Sequence, residues 1–119
     1  MYKIPVNYNI DELLGSSITQ ICFCSNLIHV ILSNNIYIEI MGSFTLKIDE
    51  RSKYYEEIYP ITNDFGLLNL LDKEIKKVNT NNKRETLQLE FEEQMHLICH
   101  GNEYYESFII SINGSEIIV

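Results

Sequence analysis

Cysteine and histidine side chains lie close together near the end of the chain, and nucleophilic or metal chemistry would use them. Cys99 and His100 are adjacent. Neighbouring residues on a β-strand point to opposite faces, so this thiol and this imidazole do not form a nucleophile–base pair. His96 shares a strand face with His100, and we predict that both face solvent. His29 lies on another predicted strand that could approach them, but the three histidines match no metal-binding spacing.

Three glutamates, Glu90, Glu92 and Glu93, are close enough in sequence to suggest the paired carboxylates of glycosidic chemistry. Such a pair needs one carboxyl group with a raised pKa in a dry pocket, whereas these three lie on a polar stripe. The five glycines form neither a nucleophile elbow nor a phosphate-binding loop. The sequence therefore predicts a protein that is not an enzyme and that uses no metal and no cofactor.

The glutamates belong to a segment, TLQLEFEEQMHLI, in which apolar and polar residues alternate with the period of a β-strand. We predict a hairpin that turns at Glu93-Gln94. One face carries the apolar side chains of Leu87, Leu89 and Phe91. The other face carries the polar side chains of Gln88, Glu90 and Glu92.

Three blocks of sequence occur twice in the same order, which indicates an internal repeat. The offset between the copies grows where polar residues are inserted in the second copy, at residues 80–85 and 101–105. We predict two repeats, residues 10–48 and 66–112. The matching blocks are residues 13–21 with 70–78, 28–40 with 87–99, and 42–48 with 106–112.

The predicted fold class is mainly β (α+β), in a single domain of residues 1–119. Each repeat is expected to form a short helix and four antiparallel strands, and the two units would close on each other as one barrel or sandwich. Residues 48–64 are expected to connect them, with Tyr54, Tyr55 and Tyr59 over a sheet edge. Two-residue turns are predicted at Asn34-Asn35 and at Asn113-Gly114, which begins a C-terminal hairpin.

The formal net charge is −8, from 17 acidic and 9 basic residues. This balance argues against binding to nucleic acid or to anionic membranes and favours a basic protein partner. Many proteins carry negative charge only for solubility, so that explanation stays open. No signal peptide or membrane span is predicted, and we expect the three cysteines to be reduced in a cytoplasmic protein.

Glutamates and tyrosines together suit recognition of a basic partner, because carboxylates speed and orient the encounter and aromatic rings supply buried contact area. We predict a partner-binding surface from these residue types. The alternative is that the hairpin charges only prevent aggregation between sheet edges. The predicted contact residues are Glu90, Glu92, Glu93, Glu103, Tyr104, Tyr105 and Glu106.

Four segments, LLGSSITQICF, IYIEIMGSF, FGLLNLLDKEIKKV and YYESFIIS, resemble a family of small bacterial proteins of uncharacterised function. The likeness rests on a Leu-Leu-Gly, a Thr-Gln-Ile strand start and a Tyr-Glu-Ser followed by an aromatic residue. It covers roughly residues 9–112, and Phe108 stands where the family carries Trp. The resemblance implies no enzymatic activity. In its general class, the family is also similar to immunity proteins of toxin systems.

The first functional hypothesis is therefore an immunity-type protein that neutralises a cognate toxin by covering its active surface. One alternative is a small-molecule carrier that uses the interior of a β-barrel. Another is a structural subunit that self-associates through the C-terminal strand, residues 117–119. The sequence leaves the oligomeric state and the identity of the partner open.

Overall fold

The computed structural model describes residues 2–119, and in that part of the chain it contains ten β-strands and three short 3₁₀ helices. The helices are Ile10–Leu13, Leu67–Leu70 and Glu92–Gln94, the last of which is a tight turn with left-handed φ at Glu93 and Gln94. The strands are β1 (Ile18–Phe23), β2 (Ile28–Leu32), β3 (Ile36–Ile40), β4 (Phe44–Ile48), β5 (Arg51–Tyr55), β6 (Ile75–Asn79), β7 (Thr86–Phe91), β8 (Met95–His100), β9 (Phe108–Ile112) and β10 (Ser115–Ile118).

The strands form two antiparallel sheets of five. Sheet I has the order β1-β2-β3-β9-β10, and sheet II has the order β5-β4-β8-β7-β6. The mainly β class is confirmed, and the barrel alternative is wrong because the two sheets are not closed into one ladder. An isolated bridge joins Ser17 to Glu74, just before β1 and β6, but the strands themselves do not pair there.

One buried apolar cluster receives side chains from both sheets and from the first two 3₁₀ helices. Alternation along the strands produces this, as in β7, where the odd-numbered positions are buried and the even-numbered ones are partly exposed. The apolar face predicted for Leu87, Leu89 and Phe91 is therefore confirmed. Leu13 and Leu70, from the two helices, are fully buried in the same cluster.

Each half of the chain supplies three strands to one sheet and a hairpin to the other. The hairpin β4–β5 joins sheet II beside β8, and the hairpin β9–β10 joins sheet I beside β3. The expected two four-stranded units are thus not separate, because the chain crosses between sheets at residues 41–43. The expected connecting segment, residues 48–64, contains β5, whose charged residues Arg51 and Lys53 conceal its strand pattern.

The two halves correspond in register as well as in strand order. Phe44 pairs with Cys99 at the junction of β4 and β8, and Phe108 pairs with Ile40 at the junction of β9 and β3. Strands β1 and β6 each carry an irregularity just after their first residue, Ile18 or Ile75. These matches follow the sequence alignment of the two predicted repeats.

Tight turns occupy one end of both sheets, which we call the turn end. Predicted turns at Asn34-Asn35, Asn113-Gly114 and Glu93-Gln94 are confirmed, since all six residues have positive φ between 51° and 85°. A fourth turn, at residues 49–50, connects β4 to β5, and the backbone N–H of Asp49 donates to the carbonyl of Gln94 at 3.1 Å.

The opposite end, which we call the loop end, consists of residues 24–27, 41–43, 56–62, 80–85 and 101–107. Both polar insertions of the second half lie here. They contact each other, because the backbone N–H of Gly101 donates to the carbonyl of Glu85 at 2.7 Å. One end of the fold is therefore built from minimal turns and the other mainly from longer loops, and binding residues are most often carried by such loops.

Candidate functional site

The seven predicted contact residues do not form one surface. Glu90, Glu92 and Glu93 lie on β7 and at the turn end, whereas residues 103–106 lie at the loop end. The six residues of β8 separate the two groups, a distance of about 20 Å at about 3.3 Å per residue. The acidic hairpin and the tyrosine-containing loop are thus separate features.

Glu90 lies on the outer face of sheet II, between basic residues of the two neighbouring strands. Its register partners are Lys77 on β6 and His96 on β8. The Nδ1 of His96 lies 3.4 Å from Oε1 of Glu90, and Lys47 is the next residue across the sheet. Opposite charges on adjacent strands stabilise a sheet. Glu90 therefore has a basic residue opposite it on both neighbouring strands.

Glu92 and Glu93 are also engaged locally at the turn end. The carboxylate of Glu93 lies 3.1 Å from the ammonium of Lys73. The carboxylate of Glu92 accepts a hydrogen bond from the backbone N–H of Glu74 at 3.4 Å. Both carboxylates thus contact the segment that leads into β6, which gives them a structural role.

Tyrosines and glutamates are concentrated at the loop end. The exposed fractions of the tyrosines are 82% for Tyr104, 67% for Tyr105, 67% for Tyr59 and 52% for Tyr2. Neighbouring large aromatic residues left in water usually mark a contact surface. We call this region the tyrosine–glutamate surface. Its members are Tyr2, Glu56, Glu57, Tyr59, Glu103, Tyr104, Tyr105 and Glu106.

Two adjacent grooves cross this surface. One, of about 350 Å³, is lined by Glu56, Glu57 and Tyr59 on one side and by Tyr105 and Glu106 on the other. The second, of about 420 Å³, lies between Tyr2 and the Tyr104–Glu106 segment. Tyr105 and Glu106 border both grooves, so the two halves of the surface are continuous.

None of the glutamates of this surface has a cationic partner among residues 2–119. The salt-bridge contacts of residues 2–119 are Lys73–Glu93, Lys76–Glu74 and His96–Glu90, all on or beside sheet II and outside this surface. Sequence reasoning identified residues 103–106 as contact residues but missed Glu56, Glu57, Tyr59 and Tyr2. The missed residues are far away along the chain, and the Glu-Glu pair directly after Tyr54-Tyr55 was the one available signal.

Backbone hydrogen bonds hold the loops that carry this surface. The carbonyl of Ser107 accepts bonds from the backbone N–H groups of Met41 and Gly42, each at 2.8 Å. The side chain of Asn102 accepts a bond from the backbone N–H of Tyr104 at 2.7 Å. The tyrosines are therefore presented from an anchored loop, which lowers the entropy lost when a partner binds.

The surroundings of Cys99 do not favour a nucleophilic role for its thiol. This side chain is fully buried, and burial raises the pKa of its thiol to about 12. His100 is on the opposite face, 2.8 Å from the hydroxyl of Thr45, and burial lowers the pKa of its imidazole. The three cysteines of the described chain are free.

The histidines do not converge. His29 is on sheet I, while His96 and His100 are on sheet II. Within residues 2–119, no group of three or more His, Cys, Asp or Glu side chains has the geometry to hold a metal ion.

No helix among the described residues is long and apolar enough to cross a lipid bilayer. Comparisons of the chain with protein-family models, with curated proteins and with solved structures found no match. The resemblance to a small bacterial family therefore stays a prediction.

Proposed function

We propose that this chain is a non-enzymatic protein-binding module, and that it is an immunity-type protein that neutralises a cognate basic toxin. The observation that carries the proposal is the tyrosine–glutamate surface, where exposed aromatic rings stand beside carboxylates that have no cation partner among residues 2–119. A basic partner would supply the missing charges and would bury the rings. If the toxin is a nuclease, the carboxylates would take the place of substrate phosphates in its cleft.

The proposal places the binding surface at the loop end and not on the β7–β8 hairpin. Glu93 is paired with Lys73, and Glu90 is in contact with His96, so a partner would have to displace these contacts. Glu103 and Glu106 have no cationic partner in the described chain, and rim charges of this kind mainly set the association rate. Tyr104 and Tyr105 then supply the apolar contact that slows dissociation.

The alternative of a carrier with a ligand inside a β-barrel loses its premise, because the sheets form no barrel and their facing sides are filled by the shared apolar cluster. The alternative of self-association through residues 117–119 remains a proposal. Val119 is buried and exchanges backbone hydrogen bonds with Phe108, so the outer edge of β10 would have to provide the contact.

We also infer that the two halves of the fold derive from one duplicated unit. The support is that strand order, register and strand irregularities agree between the halves. Cross-contacts agree as well. The N–H of Gly15 donates to the carbonyl of Ile75, and the N–H of Asp72 donates to the carbonyl of Ile18. The donors Gly15 and Asp72 are 57 residues apart in sequence, and so are the acceptors Ile18 and Ile75. The loop-end insertions would then be later additions that serve binding.

The proposed function is tested by two matched double substitutions, E103K/E106K and E92K/E93K, which change the net charge equally. Association with the basic partner, such as a toxin encoded beside this chain, is followed by stopped-flow fluorescence at low salt. We expect E103K/E106K to slow association about 10- to 100-fold, because steering depends on charges at the contact surface.

The E92K/E93K variant controls for net charge, and its association rate should stay within about threefold of the unsubstituted protein. Equal slowing by both variants would show that only overall charge matters. No slowing by either variant would remove the electrostatic basis of the proposal. Circular dichroism of both variants checks that the sheets are intact.

A further inference from the structure

A third groove lies outside the tyrosine–glutamate surface. It has an apolar floor and positively charged side chains along one wall. It is about 340 Å³ in volume and opens between the β4–β5 hairpin and residues 65–69. Its floor is made by Leu46, Ile48 and Phe65, while Arg51 and Lys53 project from β5 along one side. Its size falls within the range of small-molecule sites, about 300–1,000 Å³.

The two cations occupy positions where the strand pattern calls for apolar residues. Lys53 pairs with Leu46 and Arg51 pairs with Ile48, and both β4 residues belong to or pack on the apolar cluster. In the other edge hairpin the position that matches Lys53 is Ile117, which pairs with Ile110 and packs on the cluster, and the position that matches Arg51 is Ser115, which pairs with Ile112. In sheet II the corresponding face of the edge strand is positively charged.

Neither cation is neutralised inside the described chain, whose ion pairs involve other residues. The ammonium of Lys53 lies 5.2 Å from the centre of the Tyr55 ring, a cation–π contact that leaves its charge available. Asp64, next to the groove, has its carboxylate engaged with the backbone N–H of Gly66 at 3.3 Å. In a chain of net charge −8, two unpaired cations beside apolar side chains favour an anion.

An unusual backbone conformation builds the aromatic end of the groove. Phe65 has a φ of 55°, a left-handed conformation that is rare for a bulky residue. The side chain of Asn63 accepts a hydrogen bond from the backbone N–H of Phe65 at 2.6 Å, and the hydroxyl of Tyr55 donates to the carbonyl of Phe65 at 3.2 Å. The ring of Phe65 packs edge-to-face on Tyr55 and on Phe44, with centres 5.0 and 5.8 Å apart. Strained conformations of this kind are often found at ligand sites.

We propose that this groove binds a small amphipathic anion, a carboxylate carried on a medium-length apolar chain. The carboxylate would accept hydrogen bonds from the guanidinium of Arg51 and the ammonium of Lys53, and the chain would lie over Leu46, Ile48 and Phe65. The site is independent of the tyrosine–glutamate surface.

Inward-pointing charges on an edge strand also protect the edge from pairing with other chains. That role needs no ligand and no groove of matching polarity. The ligand-binding explanation predicts saturable binding of an anionic amphiphile that a neutral amphiphile does not reproduce. Edge protection predicts no such binding.

The test is a titration of the full chain with sodium octanoate, followed by ¹H–¹⁵N correlation spectra, beside a titration with 1-octanol. We expect saturable shifts confined to residues 46–55 and 64–69, and an affinity for octanol at least about tenfold lower, because the charge-assisted bonds are absent. The comparison of the two ligands uses the unsubstituted protein, so it does not depend on any variant folding.

Two double variants then assign the cations. R51Q/K53Q should weaken octanoate binding at least about tenfold, while K76Q/K77Q, which removes the same charge from β6, should leave it within about twofold. Shifts that do not saturate, equal affinity for octanol, or equal weakening by both variants would overturn the proposal. Increased aggregation of R51Q/K53Q without octanoate binding to the parent protein would overturn it in favour of edge protection.

Discussion

Replacement of Phe44 by alanine is expected to lower the free energy of unfolding by about 3–5 kcal/mol. Phe44 is fully buried at the start of β4, where the chain has just crossed from one sheet to the other. Its ring stacks on Tyr55 with centres 5.0 Å apart and meets Phe65 edge-to-face. Removal of the ring leaves a cavity where the hairpin β4–β5 attaches to sheet II, and urea unfolding followed by circular dichroism measures the loss.

The matched control for Phe44→Ala is Tyr104→Ala, which removes an aromatic ring that is 82% exposed. That change should alter the free energy of unfolding by less than about 0.5 kcal/mol. A loss below about 1 kcal/mol for Phe44→Ala would contradict the packing described for this cluster, because truncation of a buried phenylalanine costs several times more.

Alanine at position 101 is expected to destabilise the fold by about 2–3 kcal/mol and to disorganise the loop end. A Cβ atom on Gly101 would lie 2.6 Å from the carbonyl oxygen of Glu85. That oxygen accepts the hydrogen bond of the Gly101 N–H, so the backbone cannot move away without breaking the bond. Thermal unfolding measures the stability, and amide exchange of residues 80–85 and 101–107 measures the local effect.

Gly114→Ala provides a comparison for Gly101→Ala. A Cβ atom there meets nothing within 4 Å, although the φ of 85° still disfavours alanine. We expect its effect to be smaller and confined to the β9–β10 turn. Faster exchange at the loop end in the Gly114→Ala variant, or unchanged exchange there in Gly101→Ala, would contradict the close approach as the cause.

Much of the fold is readable from the sequence because local chemistry decides it. Asn34-Asn35 and Asn113-Gly114 tolerate positive φ, and alternation in β7 and β8 decides which side chains are buried. The sheet that β4 joins, in contrast, is not readable from local sequence. The sequence of β4 fits an antiparallel neighbour in either sheet, and the choice depends on the path of residues 41–43 and on the free edge of β8. The residue pattern within β4 gives no information on the path of residues 41–43 or on the free edge of β8.

Strand β5 escaped the sequence analysis for a physical reason. The positions that face inward from this strand are Arg51 and Lys53, so its apolar alternation is absent. The candidate site was predicted in part, since residues 103–106 lie at the loop end. The rest could not be predicted, because Glu56 and Tyr2 reach the same end through tertiary structure. Glu90 appeared available for a partner because its cross-strand neighbours, Lys77 and His96, are not its sequence neighbours.

The central claim, that the loop end binds a basic protein, is tested most directly by hydrogen–deuterium exchange of the chain alone and in complex with its partner. We expect binding to slow exchange in residues 56–59 and 101–107 and to leave the turn at residues 92–94 unchanged. Protection of residues 88–94 without protection of the loop end would contradict the claim and return the binding surface to the acidic hairpin.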